Sequence, residues 1–250
     1  MRNILLLSML IASTAFATPD FDETMAAAKQ GSAIDQYNLG IMYDNGDGVP
    51  ENDAEAVKWY RKAADQGDAY GQYNLGVMYA NGYGVPQNEA EAVKWYRKAA
   101  DQGDGLAQFN LGIMYAKGKG VPENDKEAVK WHRKAAEQGY AKAQFNLAIK
   151  YAKGEGVPEN DKEAVKWYRK AAEQGHEGAQ SNLGVMHFNG DGVPENNIHA
   201  YVWLSMAKTQ GSADAASNLD LLKPEMTKQQ IAQGQAIAAK CFESDYKDCD

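Results

Sequence analysis

The stretch AEAVKWYRKAADQGD occupies residues 54–68 and recurs without a change at residues 90–104. Looser copies follow at an interval of 36 residues, and one tryptophan in each copy marks that interval. Self-similarity at a fixed period is typical of repeat proteins and has to be recognised first, because it decides the whole fold. The tryptophans are Trp59, Trp95, Trp131, Trp167 and Trp203.

Each period predicts two helices joined by a connector that contains glycine. In the first helix, Leu75 and Met78 fall at helical spacing on one apolar stripe. Gly82 stands where such a helix ends in the left-handed conformation. The second helix is expected to begin after Asn88, and Glu91 has the spacing of a reciprocal cap. Because a two-helix unit cannot bury its apolar face alone, the units are expected to stack.

The repeated pattern resembles that of the Sel-one-like repeat family, a relative of the tetratricopeptide repeat. The resemblance rests on A-x-x-N-L-G-x-M-Y-x-x-G-x-G-V-P followed by E-A-V-K-W-Y-R-K-A-A-x-Q-G, and it covers residues 32–211. It implies an all-α fold, a right-handed α-solenoid of 36-residue helix-turn-helix repeats. It also implies an adaptor that holds protein or peptide partners.

Both ends of the array are expected to be capped. Residues 18–31 look like the second helix of an incomplete unit, and residues 227–241 predict a final helix with Thr227 as N-cap and Gln230 three residues on. The predicted organisation is a signal peptide at 1–17, a capping helix at 18–31, five repeats at 32–67, 68–103, 104–139, 140–175 and 176–211, and at 212–250 a degenerate sixth repeat, a C-terminal capping helix and a tail stapled by Cys241 and Cys249.

The first 17 residues are typical of a secretory signal peptide. A short basic start, the apolar run ILLLSMLIA and the small residues before Ala17 match that pattern. The alternative, a membrane anchor, is disfavoured because the apolar run is shorter than the ~20 residues that span a bilayer. We therefore expect an exported protein, periplasmic or secreted, with no membrane span after removal of the signal.

Net charge excludes one class of partner, and the cysteine content predicts a disulfide. Loss of Arg2 with the signal peptide leaves 25 basic and 34 acidic residues, a net charge of −9. This charge argues against nucleic acid as a partner. Cys241 and Cys249 are the only cysteines, and in an oxidising compartment we expect them to pair.

The resemblance to the tetratricopeptide fold implies that the first helices line a concave groove. There, Asn side chains could bond the backbone of an extended peptide, or each Asn could bond a neighbouring helix and set the repeat spacing. Both interpretations stay open. Specificity is expected from two positions that vary between repeats. One is held by Tyr70, Leu106 and Lys142, and the other by Ala80, Ala116, Ala152 and Phe188. The candidate groove residues are Tyr37, Asn38, Tyr73, Asn74, Phe109, Asn110, Phe145, Asn146 and Asn182.

The basic residues of the second helices are interpreted as a solvated face and not as a ligand patch. Lys58 lies three residues after Glu55, and Arg61 lies four before Asp65, so both are expected to form ion pairs along the helix. His132 takes the place of a tyrosine that other repeats carry, and we interpret it as a tolerated substitution.

An enzyme is the competing class. Ser205 and Lys208 form a Ser-x-x-Lys pair, as do Ser244 and Lys247, and a cysteine-rich branch of the family is linked to penicillin binding and hydrolysis. The partner motifs Ser-Asp-Asn and Lys-Thr-Gly are missing from this sequence, and its repeats carry no cysteine. We therefore predict no catalytic residue and no cofactor.

A metal site is not predicted either. Three histidines, His176, His187 and His199, fall in the fifth repeat, but they lack the His-x-x-x-His spacing that places two ligands on one helical face.

Overall fold

The computed structural model describes residues 20–249, and the predicted signal peptide lies outside this range. Within it the chain forms thirteen α-helices and no strand, which confirms the all-α solenoid. Each first helix packs on the second helix of its own repeat, which packs on the first helix of the next. The helices are α1 Phe21–Lys29, α2 Ala33–Asn45, α3 Asp53–Asp65, α4 Ala69–Asn81, α5 Glu89–Asp101, α6 Gly105–Lys117, α7 Asp125–Glu137, α8 Ala141–Lys153, α9 Asp161–Ala172, α10 Glu177–Asn189, α11 Asn197–Thr209, α12 Ala213–Leu222 and α13 Lys228–Glu243.

The helix ends follow the sequence pattern with one correction. Gly82 ends α4 with a φ of 77°, and the Asn88 side chain accepts a hydrogen bond from the Glu91 amide at 3.1 Å. The reciprocal half of the predicted cap is wrong. The backbone N–H of Asn88 donates to the Tyr79 carbonyl at 2.8 Å instead, because the connector brings the chain back to the last turn of α4. The Glu91 carboxylate is thereby left to pair with Lys94 at 2.6 Å.

Close packing between helices depends on small residues at fixed places. Leu75 and Ala99 are fully buried, and Gly76 lies directly under the ring of Tyr96. A Cβ on Gly76 would stand 2.7 Å from Cδ1 of Tyr96, so glycine lets the two helices approach closely here. The fourth repeat carries the buried Ala148 at this position, and in the fifth Gly184 faces Leu204, so what the interface keeps is a small residue on the first helix.

Buried glutamines tie successive repeats together. Gln72 donates to the Ala64 carbonyl at 3.1 Å and accepts from Gln102 at 2.8 Å. Gln102 also donates to the Gly67 carbonyl at 2.9 Å. Each pair thus satisfies the carbonyls that an ending helix leaves open. We call these pairs the glutamine clamps: Gln36–Gln66, Gln72–Gln102, Gln108–Gln138, Gln144–Gln174 and Gln180–Gln210.

The connectors between paired helices rest on the preceding repeat. Gly120 has a φ of +67°, and a Cβ there would lie 2.3 Å from the Glu89 carbonyl oxygen, at the start of α5. Gly84 makes the same approach to Asp53 at the start of α3, with 2.4 Å to the carbonyl oxygen. From the second repeat onward, the second glycine of the connector is therefore fixed by the preceding repeat as well as by its own backbone conformation.

Both ends of the described chain are covered. At the N-terminal end α1 packs on α2, and the Phe21 ring meets that of Tyr43 edge-on at 5.8 Å. At the C-terminal end α13 packs on α11 and begins with the predicted capping box of Thr227 and Gln230. None of the helices described in 20–249 is both long and apolar enough to cross a bilayer.

A disulfide fixes the C-terminal tail. It joins Cys241 at the end of α13 to Cys249, with Cα atoms 4.5 Å apart. The enclosed turn carries Tyr246, which lies against Gly175 at the end of the fourth repeat. The tail is therefore docked on the array and is part of the cap.

Gly120→Ala should destabilise the protein more than Gly48→Ala. Both residues have a left-handed φ, which costs an alanine about 1–2 kcal/mol. A Cβ on Gly48 meets nothing closer than 3.7 Å, because no full repeat precedes it, whereas one on Gly120 collides with the backbone of Glu89. We expect about 1 kcal/mol of lost stability for Gly48→Ala and about 3 kcal/mol for Gly120→Ala in urea unfolding. Equal losses would show that the connector does not rest on its neighbour.

Candidate functional site

The first helices present a continuous surface that carries most of the predicted groove residues. We call it the first-helix face; it is formed by α2, α4, α6, α8, α10 and α12. An aromatic ring on each of the first four helices is partly exposed and lies beside a ring from the second helix of the same repeat. These pairs are Tyr37–Tyr60 at 6.1 Å between ring centroids, Tyr73–Tyr96 at 5.9 Å, Phe109–His132 at 5.8 Å and Phe145–Tyr168 at 5.9 Å.

The asparagines of this face are partly used by the fold itself. Burial raises the pKa of the Tyr73 hydroxyl, and hydrogen bonding with Asn110 opposes that rise. The amide therefore contacts a hydroxyl of the preceding repeat, as the structural interpretation of the asparagines requires. The same relation joins Tyr37 to Asn74, Tyr96 to Asn110 and Tyr168 to Asn182.

A row of exposed apolar side chains runs along the first-helix face at one repeat position. The exposed fractions are 67% for Ile34, 61% for Tyr70 and 42% for Leu106. Tyr70 and Leu106 were predicted from the sequence, whereas Ile34 was not, although it lies one repeat of 36 residues before Tyr70. The fourth repeat replaces this apolar side chain by the exposed Lys142.

An open cavity of about 840 Å³ lies where α1 meets the first repeat. Its floor includes Phe21, Ile41 and Met42, and Asn38 is the one candidate groove asparagine in its lining. The carboxyl-bearing residues Asp20, Asp22 and Asp47 complete the lining with Gly48. The lining at this end of the first-helix face thus combines apolar side chains with three carboxylates.

A second open cavity, of about 230 Å³, lies between α6 and α8 above His132. We call it the His132 cavity; it is lined by Ile113, Ala116, Lys117, His132, Asn146, Ile149 and Lys150. The His132 side chain is 1% exposed, and its Nδ1 has no hydrogen-bond partner. Burial and the nearby Lys150 ammonium lower the pKa of His132 to about 4, so the imidazole is neutral at pH 7.

Helix α8 is the basic centre of the face. It carries Lys142, Lys150 and Lys153 and no acidic residue. Burial lowers the pKa of Lys150, but hydrogen bonds to Asp125 at 2.7 Å and Glu155 at 2.6 Å outweigh burial and raise it. Lys150 is therefore a charged group that two carboxylates neutralise.

The second-helix basic residues are engaged within the fold. Lys58 pairs with Glu55 at 2.6 Å, as the spacing predicts. The prediction for Arg61 is wrong: its guanidinium donates to the Tyr79 hydroxyl of the next repeat, because that hydroxyl lies beside α3 and can be reached across the interface. Lys62 lies over the Trp59 ring, with 3.6 Å from the ammonium to the ring centroid.

The two Ser-x-x-Lys pairs lie in different surroundings. Ser205 is partly buried and Lys208 exposed, and no hydrogen bond joins their side chains in the described range. The Ser244 hydroxyl donates to the Cys241 carbonyl at 3.1 Å and accepts from the Lys247 amide at 3.2 Å. Ser244 thus closes the end of α13 and stabilises the tail.

The three histidines of the fifth repeat are divided between two places. His176 stacks on Phe145 with ring centroids 4.4 Å apart, and its Nδ1 accepts from the Ala179 amide. His187 meets His199 edge-on at 5.3 Å. Among residues 20–249 no group of three or more His, Cys, Asp and Glu side chains is arranged to hold a metal ion.

Comparison with known proteins identifies the repeat. Five stretches match the profile of the Sel1 repeat, and each begins one or two residues after the predicted repeat boundary. No curated protein matches the sequence. The matched stretches are 33–68, 69–104, 105–140, 141–176 and 178–212.

Two solved structures share both the fold and part of the sequence. One is c5321, a protective antigen present in uropathogenic Escherichia coli strains and displaying an SLR fold, with a TM-score of 0.80 and 35% identity over 90% of this chain. This chain spans 49% of that protein. The other is a Sel1 repeat protein from Oxalobacter formigenes, with a TM-score of 0.74 and 33% identity over 86% of this chain and 89% of that one.

Acid should destabilise the protein partly through His132. Its folded pKa of about 4 lies below the value near 6.5 expected when unfolded, so the unfolded chain binds the proton more readily between these values. The His132 contribution is therefore present above pH 6.5 and lost as pH falls toward 4. Between pH 7 and pH 5 the loss is about 2 kcal/mol.

The measurement compares urea unfolding of the wild-type chain and of His132→Tyr at pH 7 and pH 5. Tyrosine is the residue that Tyr96 and Tyr168 supply at the same repeat position, so the variant retains the packing without the titrating group. The wild type should lose about 2 kcal/mol more than the variant. Equal losses in both chains would assign the acid sensitivity to carboxylates alone.

Proposed function

Because the chain belongs to the Sel1 repeat family, we propose that it is an exported scaffold that binds a protein or peptide partner on the first-helix face. Proteins of this family commonly act in protein interaction. Binding is non-covalent and uses a preformed surface, so the partner alone loses conformational freedom. The proposed contact residues include the aromatic rings and asparagines of the sequence prediction, extended by the exposed apolar row.

The observation that carries the proposal is the row of Ile34, Tyr70 and Leu106. A monomeric soluble protein seldom exposes aligned apolar side chains that its own fold does not use, and such rows mark interaction surfaces. The Tyr70 ring approaches the Tyr37 ring in a tilted arrangement, with 5.6 Å between the ring centroids, and otherwise 61% of the residue stays exposed. The second-helix face, formed by α3, α5, α7, α9 and α11, shows no comparable row among residues 20–249. Its long basic side chains form ion pairs, as Lys58 does, or lie over a tryptophan ring, as Lys62 does.

Charge suggests how a partner would lie along this face. Three aspartates surround the cavity beside α1, and α8 in the middle of the array carries three lysines and no acid. A bound segment would match this pattern with basic groups toward α1 and acidic or neutral groups near α8. Apolar side chains between them would contact the exposed row.

Removal of the exposed row should weaken peptide binding strongly without loss of stability. The variant carries Ile34→Ser, Tyr70→Ser and Leu106→Ser, and the matched control carries serine at the exposed Lys58, Lys94 and Lys130 of the second-helix face. Peptides are first selected from a random display library on the mature chain. Their affinity should fall about a hundredfold in the first variant, since each of the three lost apolar contacts removes about 1 kcal/mol.

Circular dichroism and melting curves check that both variants fold, which exposed positions should permit. The control should bind the selected peptides as the wild type does. Failure to select any peptide, or equal binding by both variants, would exclude the first-helix face as the binding surface.

Export is the second part of the proposal, supported by the sequence of residues 1–17 and by the disulfide of the tail. The full-length chain produced in a bacterium should be recovered outside the cytoplasm with Thr18 as its first residue. Intact mass should show Cys241 and Cys249 oxidised. A cytoplasmic chain that retains Met1 would contradict this part and leave the binding proposal intact.

A further inference from the structure

The His132 ring occupies part of a site that tyrosine fills in neighbouring repeats. A Cβ on Gly112 would lie 2.6 Å from Nδ1 of His132, and one on Gly76 would lie 2.7 Å from Cδ1 of Tyr96. The two rings therefore sit at the same depth against a first helix. A tyrosine continues beyond its ring to a hydroxyl, whereas the imidazole is smaller and stops short.

The third repeat also lacks the other hydroxyl of this region. In the second repeat, the Asn110 amide of the next repeat opposes the burial-driven rise in the pKa of both Tyr73 and Tyr96, which places it close to both hydroxyls. The equivalent rings are Phe109 and His132, and neither can offer a hydroxyl to Asn146. The His132 cavity lies in this gap, with Asn146 and His132 both in its lining.

The size and lining of the cavity suit an aromatic ring with one polar end. A cavity of about 150 Å³ is sufficient for benzene, and the His132 cavity measures about 230 Å³. Ile113, Ala116 and Ile149 supply apolar walls, and Asn146 supplies an amide that can both donate and accept. The cavity opens on the first-helix face, where a partner side chain can enter.

We propose that the His132 cavity takes a tyrosine side chain from the bound peptide, with its phenol hydroxyl bonded to Asn146. The partner thereby restores the group that the third repeat lacks. This inference rests on the proposed binding of a peptide to the first-helix face. It assigns one residue type to one place on that face.

Other side chains fit this site less well. A phenylalanine would bury Asn146 without a partner, which disfavours it. A carboxylate would find little net attraction, because Asp125 and Glu155 already neutralise Lys150. A lysine or arginine would meet Lys117 and Lys150 at close range. A phenol carries no charge and leaves these ion pairs undisturbed.

The test uses small probes in place of a partner. 4-Methylphenol, toluene and N-acetylglutamate are titrated into the isotope-labelled mature chain, and the Asn146 side-chain amide is followed by NMR. 4-Methylphenol should give saturable shifts and bind about tenfold more tightly than toluene, the difference expected for one hydrogen bond. N-acetylglutamate should bind more weakly than 4-methylphenol.

Three variants locate the binding. His132→Tyr fills the cavity with the residue that other repeats carry and should abolish binding of 4-methylphenol, read from the remaining cavity resonances. Asn146→Ala should reduce the preference over toluene to about one, since its hydrogen bond is lost. Lys94→Ala, on the second-helix face, should bind as the wild type does.

Several outcomes would overturn the inference. Equal affinity for toluene and 4-methylphenol in the wild type would show that the cavity is only apolar and does not favour a ligand with a hydroxyl. Tighter binding of N-acetylglutamate would assign the site to an acid, and unchanged binding by His132→Tyr would place it elsewhere. These readouts need no partner, so failure of the peptide-binding proposal leaves them interpretable, and the reverse also holds.

Discussion

The repeat depends on a buried amide that has to be satisfied. Gln72 lies inside the interface, where an unpaired amide would cost on the order of 1–3 kcal/mol. It finds its partners at the Ala64 carbonyl of the preceding repeat and at Gln102, and both distances are near 3 Å. A change in the length of a repeat would move one of these partners out of reach. The glutamine clamps therefore connect the constant period of the sequence to the constant spacing of the helices.

Around these clamps, structural and functional roles fall to different positions. Tryptophan, leucine and glycine recur because each interface needs the same contacts, and most of the asparagines serve the tyrosines of a preceding repeat. What differs between repeats is free to serve a partner: the exposed row that ends at Lys142, and the replacement of tyrosine by His132. In such an array, the residues that differ between repeats are the ones available to recognise a partner.

Much of the fold could be read from the sequence, since the period, the helices, Gly82 and the Asn88 cap all follow from local rules. The reciprocal cap failed because Asn88 meets the Tyr79 carbonyl, a contact made by the return of the chain. The spacing of residues within one helix does not predict that the connector turns back toward the preceding helix. The clamp glutamines recur every 36 residues, which could have drawn attention to them in the sequence. The residue type alone, however, does not show that Gln72 is buried.

The candidate site was harder to predict for the same reason. An asparagine can bond a peptide or a tyrosine equally well, and only the position of the hydroxyls decides between them. His132 looked like a tolerated replacement, because a sequence gives the size of a side chain and not the space left around it. Ile34 was missed although its register matched that of Tyr70.

The connector glycines give the array a further property. Each connector rests on the repeat before it, as Gly120 does on Glu89, through a contact that is nearly the same at every junction. Removal or duplication of one whole 36-residue unit would therefore rejoin surfaces that already fit, whereas a gain or loss of a few residues would break both contact and clamp. The chain can change its length during evolution only in whole repeats. Since His132 belongs to one repeat, such a change could shorten the scaffold and alter its selectivity in a single genetic step.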